Sequence, residues 1–166
     1  VTTIVLPDGV LKDLERRAKL EAKSLDELIC EIVLRHLGIH DPEAEAEVHL
    51  KLCEKYMLEA KELLAKKDYV QASEKAWGSA SQIVKALAAR EGRELRSCIS
   101  LWAYVDEIAE RLQDIELRRL WGRANNLHQN FYENWMPPRD VELAVRDVEI
   151  FVEKLRNYLE RRNEEN

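Results

Sequence analysis

The chain has 166 residues, of which 46% are apolar and 35% are charged. This composition supports a folded core and excludes a disordered chain, and the scarcity of glycine and proline favours long helices. The formal net charge of −6 excludes a protein that coats nucleic acid through bulk electrostatics, although it leaves room for a local basic pocket.

The cysteines and the apolar runs indicate the cellular compartment of the protein. Cys30, Cys53 and Cys98 lie far apart in the sequence, and no pair has the spacing of metal ligands. We therefore expect no metal site, no disulfide framework and no cofactor. The sequence has no charged-then-apolar signal segment, and no apolar run reaches the length that crosses a bilayer. These features predict a cytoplasmic protein without a membrane partner.

The N-terminal segment, residues 1–39, is predicted to contain one strand and two helices. The alternation of VTTIVL, residues 1–6, indicates a short strand. Asp8 is the predicted N-cap of the first helix. Ser24 and Glu27 form a predicted capping box at the start of the second helix.

A strand followed by two short helices is typical of a ribbon-helix-helix unit. Such a unit pairs its strand with the same strand of a second copy, because a lone strand leaves its backbone groups unpaired. DNA-binding members use polar or basic side chains on the exposed strand face, where this chain has only Thr3 and Val5. We therefore interpret residues 1–39 as a dimerisation segment and not as a DNA reader.

The second segment, residues 40–166, is predicted to be an antiparallel bundle of about five helices. Asp41 and Pro42 have the residue types that begin a helix, Gly92 marks the end of the second bundle helix, and Pro137 precedes the last. Apolar residues recur at helical spacing between these points. Helices of this length with short connections form bundles, so the expected fold class is all-α with a short N-terminal strand-helix-helix unit.

The polar segment WGRANNLHQNFYENW, residues 121–135, carries the candidate chemistry. It concentrates polar side chains within a few turns of a predicted helix. Such clusters are locally unfavourable in a helix, and departures of this kind often mark functional sites. Asn125 and Asn126 in this segment can cap, bridge waters or contact a ligand, and the sequence leaves these roles open.

Arg123 and His128 are the two chemically distinctive side chains of this segment. His128 lies on the same stripe as apolar residues and therefore points to the core or to an interface, as a packing histidine or as a catalyst. Arg123 is five residues earlier, about 140° around the axis of a regular helix. The two side chains can converge only if the helix is distorted or if two copies face each other.

Several runs resemble a known family. The Arg-x4-His spacing followed by HQNFYENW resembles the HEPN superfamily. The runs KKDYVQASEKAWGSASQIVKALAAREG, SLWAYVDEIAERL and LHQNFYENWMPPRDVELAVRDVEIFVEKL are similar to the archaeal PaREP family, which belongs to that superfamily. The leading run IVLPDGVLKDLERRAK also fits members of this family, so the resemblance covers nearly the whole chain.

The resemblance implies a homodimer of helical bundles in which the two motifs meet at the interface. In active members such a composite site cleaves RNA without a metal. Arg123 would then stabilise the charge that builds on the phosphorus, and His128 would move the proton. Ala124 stands where many active members have a polar residue. Other relatives bind nucleotides, RNA or partner proteins such as antitoxins and nucleotidyltransferases, so a toxin-like endoribonuclease and a non-catalytic binding module both stay open.

Further basic and polar side chains surround the motif in the sequence. Arg118 and Arg119 precede it, and three arginines lie between residues 90 and 96. These arginines can form a basic funnel for a phosphate backbone or a solvated surface among interleaved glutamates. Lys75 shares a helix face with Gln71 and Ser79, which can line a pocket or face solvent. The candidate substrate contacts are Asn125, Asn126, Arg119 and Lys75.

Overall fold

The computed structural model describes residues 3–21 and 23–164, which form seven α-helices and no strand. The helices are α1 (Asp8–Leu20), α2 (Leu25–His36), α3 (Pro42–Ala65), α4 (Tyr69–Arg90), α5 (Cys98–Leu112), α6 (Glu116–Glu133) and α7 (Pro138–Glu164). The all-α expectation is therefore confirmed for this part of the chain. None of these helices combines the length and the apolar character that crossing a bilayer requires.

The predicted N-terminal strand is absent from the residues that the structure describes. Residues 3–7 have no regular secondary structure, and residues 1 and 2 lie outside the described residues. The physical reason is that a strand needs a neighbour to share its backbone hydrogen bonds, and one chain offers none here. Pairing with a second copy stays a prediction.

The first helix begins differently from the predicted cap, and the second forms only half of its predicted capping box. Asp8 is already inside α1, whose N-cap residue makes no side-chain hydrogen bond. At α2, Ser24 Oγ accepts a hydrogen bond from the Glu27 backbone N–H at 3.1 Å, as predicted. The Glu27 side chain does not complete the capping box, because it contacts Lys85 of α4 instead. Glu27 therefore links α2 to the bundle.

The central helix is α4, which packs against α3, α5, α6 and α7. Its alanine and serine residues let the neighbouring helices approach closely, and Ile83 and Leu87 extend into the core beside Trp121 and Phe151. Gly78 allows one such close approach, because a Cβ atom there would stand 3.1 Å from the Tyr56 ring. Side chains on α4 consequently reach sites on both sides of the molecule.

Helices α3 to α7 lie within the predicted bundle segment, and α2 also packs against them, so the packed assembly has more helices than the bundle of about five that the sequence predicts. Glu27 and Leu28 of α2 are buried, and α2 packs against α3. Within the described residues, α1 contacts only α2 and lies on the outside. The domain boundary between residues 39 and 40 stays a prediction.

The cysteines divide by environment. Cys53 is buried, Cys30 is partly buried and Cys98 is exposed. Cys53 therefore packs as a small hydrophobic residue in the core, whereas Cys98 does not. Among residues 3–21 and 23–164, no group of three histidine, cysteine or acidic side chains has the geometry to hold a metal ion.

Candidate functional site

The polar segment lies on α6, a continuous helix whose ends are well defined. At its start, Asp114 Oδ1 accepts a hydrogen bond from the Glu116 backbone N–H at 3.0 Å. At its end, Asn134 adopts a left-handed conformation with φ of 46°, which stops the helix. A regular helix over this range directs Arg123 and His128 toward different neighbours, as the sequence spacing predicts.

His128 points to α4, where it contacts a carboxylate and an aromatic ring. Its Nδ1 lies 3.3 Å from Glu74 Oε2. The imidazole stacks on the Trp77 ring, with centroids 3.8 Å apart and planes 18° from parallel. An ionised carboxylate only accepts hydrogen bonds, so this contact places the proton on Nδ1 and leaves Nε2 as a lone pair. With 26% of its side chain exposed, His128 is not sealed in the core.

Tyr132 completes this group from the next turn of α6. Its ring lies edge-on to the His128 imidazole at 5.2 Å between centroids. Partial burial and the nearby Glu74 carboxylate raise the pKa of the Tyr132 phenol above its ordinary value. We call Glu74, Trp77, His128 and Tyr132 the His128 cluster. It combines an imidazole held at one nitrogen with exposed aromatic surface.

Arg123 turns away from this cluster toward α7. Its Nε donates a hydrogen bond to Asp147 Oδ2 at 3.1 Å, and 42% of its side chain is exposed. The structure therefore does not bring Arg123 and His128 together within one chain. A site that uses both side chains needs a second copy or the release of Arg123 from Asp147.

The other candidate contacts already have partners or lie elsewhere. Asn125 Nδ2 donates to the Trp121 carbonyl of its own helix at 2.8 Å, and Asn126 is half-buried. Arg119 is exposed and pairs with a carboxylate on α6, 2.8 Å away. Lys75 points to α3, where its Nζ lies 2.6 Å from Glu59 Oε2. None of these residues contacts His128 in the described part of the chain.

The arginines proposed as a basic funnel are neutralised one by one. Arg93 pairs with Glu107 at 2.8 Å, and Arg96 pairs with Glu94 at 2.6 Å. Arg118 contacts two carboxylates of α5 at 2.5 Å each. The solvated-surface interpretation therefore describes this region better than a phosphate funnel does.

One polar residue of the segment is structural. Asn130 is fully buried, and its Nδ2 donates to Ser73 Oγ of α4 at 2.9 Å. Its Oδ1 accepts from the Met136 backbone N–H at 2.7 Å. These two bonds fix the end of α6 and the following turn against α4, which places His128 opposite Glu74.

Sequence reasoning did not select Glu74, Trp77 and Tyr132 as site residues. Glu74 and Trp77 are three residues apart and therefore share a face of α4, while His128 and Tyr132 are four apart on α6. On each helix separately, the sequence spacing indicates that the two residues share a face. The missing information was that these two faces meet.

Comparison with known proteins gives a family and a related structure. A family model described as the archaeal PaREP1/PaREP8 family matches residues 48–152. A crystal structure of a protein from Sulfolobus solfataricus is similar, with 28% sequence identity and a TM-score of 0.57. The match covers 65% of this chain and 96% of that one. No curated protein matches. The span of the family match contains Arg123 and the whole His128 cluster.

Proposed function

This chain belongs to the archaeal PaREP1/PaREP8 family, and from that premise we propose that it is a HEPN-type, RNA-directed homodimer that acts as a metal-independent endoribonuclease. The observation that carries the proposal is the setting of His128. Glu74 holds Nδ1 and leaves Nε2 available, and the imidazole is partly exposed beside aromatic side chains. This is the arrangement that general base catalysis requires.

The proposed chemistry is an internal transfer within the RNA backbone. His128 Nε2 takes the proton from a 2′-hydroxyl, whose oxygen then attacks the adjacent phosphorus. The bond from phosphorus to the 5′-oxygen breaks, and that oxygen takes up a proton from an imidazolium. The products are a 2′,3′-cyclic phosphate and a 5′-hydroxyl. Arg123 stabilises the charge on the phosphoryl oxygens once it exchanges Asp147 for the phosphate.

The exposed aromatic side chains beside the cluster support a dimer at this face. Tyr132 is 71% exposed, and Trp135 and Trp102 are about half exposed. Trp102 of α5 packs edge-on against the buried Trp121 of α6, 6.0 Å between centroids, so exposed aromatic side chains lie on α5 as well as on α6. Tryptophan and tyrosine are enriched in protein interfaces. The proposed dimer requires Arg123 of one chain to lie near His128 of the other.

A non-catalytic module is the second candidate, and the Arg123–Asp147 pair favours it. An arginine held by a carboxylate of its own chain is not free to bind phosphate. In this alternative the same dimer binds a nucleotide, RNA or a partner protein, such as an antitoxin or a nucleotidyltransferase, without turnover. Asp147→Asn separates the candidates. Release of Arg123 raises RNA cleavage in the enzyme, whereas in the non-catalytic module it changes binding alone.

The decisive experiment is cleavage of a panel of labelled RNAs in EDTA. We expect wild-type protein to leave 2′,3′-cyclic ends and His128→Ala to lose about 100-fold or more in rate. His36→Ala is the matched control, because His36 is an exposed histidine of α2. All variants must be folded and have the wild-type oligomeric state. Inert wild-type protein, or equal activity in His128→Ala, would overturn the ribonuclease proposal.

Glu74→Gln tests whether Glu74 positions the imidazole. The variant keeps an acceptor for Nδ1 but removes the charge that stabilises an imidazolium. We expect kcat to fall roughly tenfold while KM stays unchanged, since Glu74 acts through His128 and does not bind RNA. A rise in KM with unchanged kcat would assign Glu74 to substrate binding instead.

A further inference from the structure

A second polar site lies on the opposite part of α4, where α2 and the start of α3 enclose a cavity of about 410 Å³. The connection after α4 closes its side, where Gly92 adopts a left-handed backbone with φ of 66°. Cavities of this volume accommodate small organic ligands. The cavity shares no residue with the His128 cluster, so it requires a separate account.

The floor of the cavity is a chain of hydrogen bonds with a defined direction. Lys85 Nζ donates to both carboxylate oxygens of Glu27, at 2.7 and 2.9 Å. Gln82 Nε2 also donates to Glu27, at 2.8 Å. The amide of Gln82 is thereby oriented, and its Oε1 must accept from His49 Nδ1 at 2.7 Å. His49 consequently presents Nε2 as a lone pair.

The protonation states of this chain follow from burial. Burial alone would raise the pKa of Glu27, but the Lys85 ammonium holds it below its ordinary value. Burial lowers the pKa of His49, despite the opposing effects of Gln82 and Glu27. At neutral pH the floor therefore contains one ion pair and a neutral imidazole.

The charges that line the cavity leave one carboxylate uncompensated. Four basic side chains and four glutamates contribute to the lining. Each basic side chain is paired with a glutamate: Lys85 with Glu27, Lys23 and Arg35 with Glu31, and Arg93 with Glu107. The Glu45 carboxylate makes no hydrogen bond or ion pair within the described residues. It lies one turn before His49 on α3, and its charge acts on that imidazole.

An anionic ligand does not suit this lining, because it would have to break existing ion pairs to find a cation. A ligand that donates hydrogen bonds does suit it. His49 Nε2 and the Glu45 carboxylate are both acceptors on one face of α3, and apolar side chains from α2, α3 and the connection after α4 line the same cavity. An ammonium group supplies three donors and the charge that Glu45 lacks.

We propose that this cavity binds a small primary amine that carries an apolar body. Its ammonium group donates to His49 Nε2 and to the Glu45 carboxylate. The apolar body lies against Leu34, Val48 and Leu95, which line the same space. This site is independent of the proposed ribonuclease activity.

The test is calorimetric titration of the full chain with tryptamine, compared with indole-3-propionate. The second compound has the same ring and linker but a carboxylate in place of the ammonium. We expect saturable binding of tryptamine and binding at least about tenfold weaker for indole-3-propionate. Amide shifts of Gly92 and Leu95 in NMR spectra should follow the tryptamine titration.

Glu45→Gln is the deciding variant, because Glu45 is exposed and its replacement does not threaten the fold. We expect it to weaken tryptamine binding about tenfold. Glu47→Gln, another exposed glutamate of α3 outside the lining, and His128→Ala should bind as wild type does. The proposal is overturned by the absence of saturable tryptamine binding at millimolar concentration, by equal affinity for the two compounds, or by unchanged affinity in Glu45→Gln.

Discussion

Two histidines, His128 and His49, are held in the same way by one helix but differ in the charge of their partner. In both, Nδ1 contacts a side chain of α4, from Glu74 for His128 and from Gln82 for His49. These partners are eight residues apart, about 12 Å along the helix axis. Both contacts leave Nε2 as the free nitrogen.

The difference between the partners separates two kinds of chemistry. A carboxylate stabilises the imidazolium that forms when Nε2 takes a proton, whereas a neutral amide only orients the ring. His49 is also more deeply enclosed, and burial lowers its pKa. The first arrangement suits proton transfer and the second suits accepting a hydrogen bond from a ligand. Two histidines whose Nδ1 is held by the same helix can therefore have different functions.

The strongest challenge to this comparison is removal of one carboxylate at each site, which is Glu27 at the His49 site and Glu74 at the His128 site. Glu27 is only 7% exposed, so Glu27→Ala leaves Lys85 as a buried, unpaired charge. We expect a loss of about 3 kcal/mol or more in the free energy of unfolding. Denaturation in urea measures this loss.

Glu74→Ala is the matched control, because Glu74 is a carboxylate of the half-exposed site. We expect it to lower the free energy of unfolding by less than about 1 kcal/mol. Equal losses in the two variants would mean that the two histidine sites do not differ in how strongly they hold the fold together.

A smaller change in the free energy of unfolding is expected within α6, where Asn130 has a structural role and Asn126 does not. Asn130→Ala removes the hydrogen bonds to Ser73 and to the Met136 backbone. We expect a cost of about 2 kcal/mol, because the Met136 backbone N–H is left without a partner in a buried place, whereas Ser73 Oγ keeps its hydrogen bond to the Tyr69 carbonyl. Asn126→Ala should change the free energy of unfolding by about 0.5 kcal/mol or less. Denaturation curves of the two variants give the comparison, and similar costs would assign Asn130 no special structural role.

The third prediction concerns pH. The pKa of His49 in the folded protein lies below its ordinary value of 6.5, so the unfolded chain binds more protons between these two values. Stability from this group is present above pH 6.5 and is lost as the pH falls through that window. The pKa of Glu27 in the folded protein is also lowered, so its contribution to stability is lost only at lower pH, below its ordinary pKa of 4.5.

The melting temperature of wild-type protein should therefore decrease between pH 7.5 and pH 5.5 by more than that of His49→Gln. The variant has no titrating side chain at position 49. Scanning calorimetry at several pH values measures both curves. Parallel curves would show that burial of His49 does not affect its protonation.

The smallest effect is expected at Arg119, which the sequence suggested as a substrate contact. Its ion pair with Glu116 is exposed, and such pairs contribute little. Arg119→Ala should change the free energy of unfolding by about 0.5 kcal/mol or less and leave RNA binding unchanged. A clear loss of RNA affinity in a filter-binding assay would show that Arg119 contacts the RNA.

The helical body could be predicted from the sequence because its signals are local. Asp41 caps α3 through a hydrogen bond to the Glu43 N–H, and Gly92 follows the end of α4 with a left-handed backbone. The strand over residues 1–6 was predicted from alternation alone, which carries no information about a hydrogen-bonding neighbour. Local signals thus identify helices well and unpaired strands poorly.

The two sites could be predicted only in part, since each depends on contacts between helices. The sequence drew attention to His128 through its polar surroundings, but the stacking on Trp77 depends on how α6 packs against α4. Glu27 matched a capping motif, and nothing local indicated that its carboxylate would contact Lys85, 58 residues away. His49 lies in a run without any motif.

The central position of α4 has a consequence for hydrogen exchange. Its backbone amides are covered by α3, α5, α6 and α7, so they can exchange with solvent only when the whole bundle opens. Amides of α1, which among residues 3–21 and 23–164 touches α2 alone, should exchange through local fraying. Because Glu74 and Gln82 both lie on α4, each histidine is held by the last helix to open.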